Sequence, residues 1–99
     1  MPKLNESRPP VQGQQHTYSL DPPRDPDCEV SWFIDGQPVD RGNTVGGLEV
    51  KGFGAAGTMT VEVTGSWRDT TVTAKIRCPE QPLATIGPML VGMHIWDPC

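Results

Sequence analysis

Basic residues are scarce in this chain, 8 Lys and Arg against 12 Asp and Glu, for a formal charge of −4. A surface of that sign lacks the cations that neutralise phosphates, so nucleic-acid binding is excluded. No window carries an apolar helical stripe with caps, which argues against a helical bundle. Residues 1–10 hold no apolar core segment and no small-residue cleavage site, so no secretory signal is read there. No apolar run reaches the length of a membrane span. The expectation is a protein made and assembled inside a cell, or a domain excised from a larger one with an added Met.

Chemistry-bearing clusters are also missing. His16 and His94 are the only histidines, and neither has Cys, Asp or Glu at the spacing of a metal quartet. There is no Gly-rich phosphate loop and no nucleophile elbow. No catalytic residue, metal or other cofactor is therefore expected, and the chain is read as a non-enzyme. Asp21, Asp25 and Asp27 sit in a proline-stiffened loop without EF-hand spacing and are read as solvated acids. Three cysteines leave at least one without an intramolecular partner. Two alternatives stand: all three are reduced thiols, or Cys99 cross-links to a neighbouring chain.

Abundant turn residues, 11 Gly and 11 Pro in 99, suit one all-β domain with irregular termini. At that length only about two-thirds of the chain's surface is hidden on folding, and the core is small. Its centre is read at residues 28–39. Val30, Trp32 and Ile34 share one face of a period-2 pattern, Glu29, Ser31 and Phe33 the other, and Asp35-Gly36 closes a tight turn. Further strands are expected within residues 11–20, where His16 reads as a partly buried edge residue beside Tyr18 and Leu20, and at 48–53. A last pair follows, with Met59, Val61 and Val63 on one face of residues 58–64 and Val72, Ala74, Ile76 and Cys78 on one face of 71–78. Residues 65–69 are read as joining that pair in a hairpin.

The Trp32 strand with its Asp-Gly turn and Pro-Val restart resembles the central strand of immunoglobulin-like sandwiches, including the polycystic-kidney-disease-type variants. The runs Gly57-Thr-Met-Thr-Val-Glu-Val-Thr64 and Thr70-Thr-Val-Thr-Ala-Lys-Ile76 are similar to the last hairpin of bacterial and phage Ig-like domains. The resemblance implies an all-β, Ig-like antiparallel β-sandwich over residues 11–79, while the polar, proline-rich residues 1–10 read as an extended, flexible arm and residues 80–99 as an apolar C-terminal tail. Cys28 stands only four residues before Trp32, which departs from the antibody pattern. With the last two strands paired as a hairpin, Cys28 and Cys78 fall at opposite ends of the sheet, about 20 Å apart at about 3.3 Å per residue. A disulfide needs Cα atoms within about 7 Å, so a Cys28–Cys78 bond is rejected under that strand order.

Two stretches remain for function. Trp67 and Arg68, of residue types enriched in binding hot spots, are placed by the assigned topology at the same end as the 21–27 loop. The alternative is that Trp67 plugs the end of its own sandwich. Leu90, Ile95 and Trp96 lie in the apolar tail, which either adds a strand to its own sheet or docks onto another subunit. Small Ig-like chains of this kind resemble accessory proteins that decorate or cement phage heads and tails. That likeness implies a virion location, capsid or other virion subunits as partners, and self-association as a further contact. The competing expectation is an extracellular adhesion or carbohydrate-binding module cut from a larger secreted protein.

Overall fold

A computed structural model describes residues 2–93. Its strands are β1 (Lys3–Glu6), β2 (Gln15–Asp21), β3 (Glu29–Ile34), β4 (Gln37–Pro38), β5 (Thr44–Val45), β6 (Leu48–Gly54), β7 (Thr58–Val63), β8 (Thr71–Arg77) and β9 (Ala84–Leu90), with one 3₁₀ turn at Ala55–Gly57. They form two antiparallel sheets, β1-β2-β7-β6-β5 and β4-β3-β8-β9, that make an all-β sandwich.

Alternation builds the core. Tyr18 and Leu20 from β2, Val50 from β6 and Met59, Val61 and Val63 from β7 face Trp32 and Ile34 from β3 and Val72, Ala74 and Ile76 from β8. Trp32 is 3% exposed and its indole N–H donates to the Gly57 carbonyl at 2.8 Å, which satisfies the one polar atom its burial would otherwise strand. The core position expected of it is observed. Asp35 and Gly36 both take positive φ, 51° and 76°, the conformation that a two-residue hairpin turn needs between β3 and β4.

The pairing of the last strands differs from expectation. β7 and β8 lie in different sheets, so residues 64–70 cross between sheets instead of closing a hairpin. Period-2 alternation reports that a strand buries one face, and two strands do so whether they lie side by side or opposite each other. With β7 removed from that sheet, β3 pairs directly with β8, from Glu29↔Arg77 to Ile34↔Val72. One register step further brings Cys28 opposite Cys78. They form a disulfide with Cα atoms 4.2 Å apart, close to the separation of non-hydrogen-bonded antiparallel pairs. The bond rejected from the expected strand order is present, because the strand placed between the two cysteines is absent.

Both termini are also more integrated than expected. Within the expected arm, residues 3–6 form β1, which pairs with β2 through Leu4↔Leu20 and Glu6↔Tyr18, and Leu4 and Glu6 are buried. Polar, proline-rich composition hid that short alternation. In the tail, β9 pairs with β8, and Ile86 and Val91 join the core, so of the two readings the strand added to its own sandwich is the one observed. Only residues 15–21 of the expected first strands are extended; a turn occupies 12–13. His16 lies on β2 between β1 and β7 and is buried, not at an edge.

Candidate docking surface

The strand order gives the sandwich two distinct ends. At one end stand the Cys28–Cys78 bond, residues 22–28 and residues 78–83. At the other stand the Asp35-Gly36 turn, the crossing at 64–70 and the turn after β9. Because β2 and β7 are antiparallel, the end of β2 adjoins the start of β7. Trp67 and Arg68 therefore lie at the opposite end from the 21–27 loop, which corrects the placement expected from sequence.

The crossing is held on both sides. Thr70 Oγ1 donates to the Gly46 carbonyl at 2.7 Å, and the Thr71 N–H donates to Asp35 Oδ1 at 2.9 Å. Just before those anchors the chain turns Trp67 inward until it is half-buried against the core. Its ring lies close over Gly92, where an added Cβ would come within 2.8 Å of the ring. Any larger residue there would push the indole off its seat. Trp67 thus plugs the sandwich end and still presents part of its ring outward. The Arg68 guanidinium sits 4.9 Å from the Trp67 ring centroid, a cation–π contact that fixes both groups on one surface.

Leu90, at the last position of β9, is 42% exposed, and Met93 is 64% exposed. Together with Trp67, Arg68, Asp69 and Val91 they line an open depression of about 250 Å³. The structure thereby brings the adjacent Trp67 and Arg68 together with Leu90, which the sequence analysis placed in a separate segment. Ile95, Trp96, Cys99 and His94 lie outside the described residues. Met93 was missed as a surface residue, and its signal was available: it follows Gly92, where the tail turns and can no longer alternate. Val11, also exposed, sits at the same end of the sandwich.

Beneath this surface runs a buried polar chain. Glu6 Oε2 accepts hydrogen bonds from the Tyr18 hydroxyl at 2.8 Å and from the Gly92 N–H at 2.9 Å. His16 Nε2 lies 2.9 Å from the same hydroxyl. Since the tyrosine proton goes to the carboxylate, His16 must donate from Nε2, which leaves Nδ1 as a bare acceptor; that atom is buried without a partner. Protonation would add both a charge and an orphan donor there. Burial accordingly lowers the His16 pKa below its usual 6.5, Glu6 pulling the other way and Arg8 adding to the lowering. Burial, with the nearby Glu6 charge and the hydrogen bond to it, pushes the Tyr18 hydroxyl well above its usual value.

Among the described residues, no group of three His, Cys, Asp or Glu is placed to hold a metal ion, and no helix is long and apolar enough to cross a membrane. In comparisons with known proteins, no family model, no curated protein and no solved structure matches the chain. The fold and surface define a small disulfide-bonded β-sandwich with an aromatic and cationic depression at one end.

Proposed function

We propose that the chain is a non-enzymatic interaction module, an Ig-like sandwich that docks onto protein subunits of a larger assembly in the manner of a virion decoration or cement protein. The observation that carries this reading is the gathering of Trp67, Arg68, Leu90 and Met93 on one open surface. Trp, Met and Arg are enriched at interface centres, and Trp and Arg at hot spots. The docking element is the end of the sandwich rather than free termini, since β1 is spent on its own sheet and β9 supports the patch. The Cys28–Cys78 disulfide suits an oxidising setting, which a particle surface provides.

Co-sedimentation with purified virions tests the proposal. The wild-type protein is expected to saturate at a fixed copy number per particle, and Leu90→Asp combined with Arg68→Ala to abolish binding while the protein stays folded. Equal sedimentation of the double variant would remove the patch from the interface, and absence of wild-type binding would remove the decoration role. The same disulfide favours a second reading, an extracellular adhesion or carbohydrate-binding module. Binding to immobilised polysaccharide or whole cells, with none to virions, would select it.

A further inference from the structure

The disulfide end carries a second site, separate from the docking surface. A pocket of about 300 Å³ opens where β8 and β9 meet residues 78–83, walled by Ile76, Pro82, Ala84 and Ile86, with Arg24, Gln81 and Thr85 as polar members. Arg24 comes from the 22–28 connection. Its Nε is buried and has no hydrogen-bond partner, and the residue makes no ion pair among the described residues. An unpaired buried donor on a permanently charged group is costly, and such a group in a folded protein calls for an explanation.

From this geometry we infer that the pocket binds a small carboxylate carrying an apolar body, with Arg24 pairing the carboxylate and the Ile76–Ile86 wall covering the rest. A planar guanidinium presents paired donors that match a carboxylate, and the Gln81 amide offers a further donor in the same pocket. A single cation in a chain of formal charge −4 favours a monoanion over a phosphate dianion. Asp25 and Asp27 line a neighbouring depression that Arg24 and Gln81 also border, but neither acid lines this pocket. Size agrees as well: an apolar cavity of about 150 Å³ accommodates benzene, so twice that volume takes a ring with a short acidic chain.

The probe is 4-phenylbutyrate, compared with 4-phenylbutanol and 4-phenylbutylamine, which keep the body and change only the head group. Binding to the intact protein is followed by heteronuclear NMR shifts. The acid is expected to shift Arg24, Gln81, Ile76 and Ile86 and to bind about tenfold or more tightly than the alcohol, the difference a charge-assisted hydrogen bond makes. The amine is expected not to bind. Arg24→Gln, a change in the connection between β2 and β3, should reduce acid affinity to that of the alcohol, while Ala84→Phe should block both. Equal binding of acid and alcohol, shifts centred elsewhere, full affinity in Arg24→Gln, or no saturable shift would each overturn the assignment. The three-ligand series needs no variant, so a misfolded variant leaves it decisive. Loss of virion docking would leave it untouched.

Discussion

Glu6 and Gly92 are joined by a hydrogen bond of 2.9 Å from the glycine N–H to the buried carboxylate, tying the first strand to the turn that follows the last. The same oxygen accepts a hydrogen bond from the Tyr18 hydroxyl, so one side chain links β1, β2 and the floor of the proposed docking surface. The two ends of the described chain close the sandwich together.

Glu6→Ala should therefore destabilise the fold well beyond a surface change. Hydrogen bonds to charged groups contribute about 1.5–3 kcal/mol each, and the orphaned Tyr18 hydroxyl adds a desolvation cost, so a loss of about 3–4 kcal/mol is expected. Glu6→Gln, whose amide oxygen can accept from both donors but carries no charge, should lose about half of that. Urea unfolding measures both. A loss below about 1 kcal/mol for the alanine variant would mean that the network contributes nothing beyond solvation.

His16 and Tyr18 set a pH window. The folded state holds His16 neutral where the unfolded chain binds a proton, so stability is complete above pH 6.5 and falls as pH drops below it. Tyr18 stays protonated in the folded state where the unfolded chain ionises, so stability also falls as pH rises above 10.0. Thermal melts across pH should show a plateau between those limits. Tyr18→Phe should remove the alkaline limb, and an unchanged limb in that variant would assign it to another group.

The Trp32 strand, its Asp35-Gly36 turn and the faces of β6, β7 and β8 were legible in the sequence because each carries a strong period-2 pattern. Strand neighbours were not. Cys28 and Cys78 show the reason: whether they meet depends on one crossing, at residues 64–70, whose turn residues suit a hairpin and a sheet change equally. Leu4 and Glu6 were hidden among prolines, and a buried glutamate reads as a solvated one until Tyr18 and Gly92 are found around it. Of the docking surface, Trp67, Arg68 and Leu90 were legible as residue types, but their meeting was not, since β9 had first to be placed beside β8. Arg24 gave no signal, because its partnerless Nε exists only in three dimensions.

The disulfide is expected to stabilise the sandwich measurably. Cys28 and Cys78 are separated by 50 positions, and chain-entropy arguments give about 4 kcal/mol for a loop of that length, with about 2–4 kcal/mol usual in practice. Reduction, or Cys28→Ala with Cys78→Ala, should lower the melting temperature by about 10–30 °C without changing the fold. A non-reducing peptide map showing both cysteines free, or a melt indifferent to reductant, would contradict the β3–β8 register.

Removing residues 83–99 is the sharpest test of how the chain is organised. A tail that only docks would leave behind a soluble sandwich. Here, however, residues 84–90 form a sheet strand, and Ile86 and Val91 are buried in the core. Burying such side chains contributes about 1.5–3 kcal/mol each, and their loss comes with the whole β8–β9 ladder. The truncation would also uncover β8, a strand with Val72, Ala74 and Ile76 buried along it, and turn it into an exposed sheet edge. Small domains hold only about 5–15 kcal/mol in total. The shortened chain should consequently unfold or aggregate, seen as loss of the dispersed amide spectrum. A folded, monomeric truncation would show that β9 is an accessory strand and return the docking role to the tail.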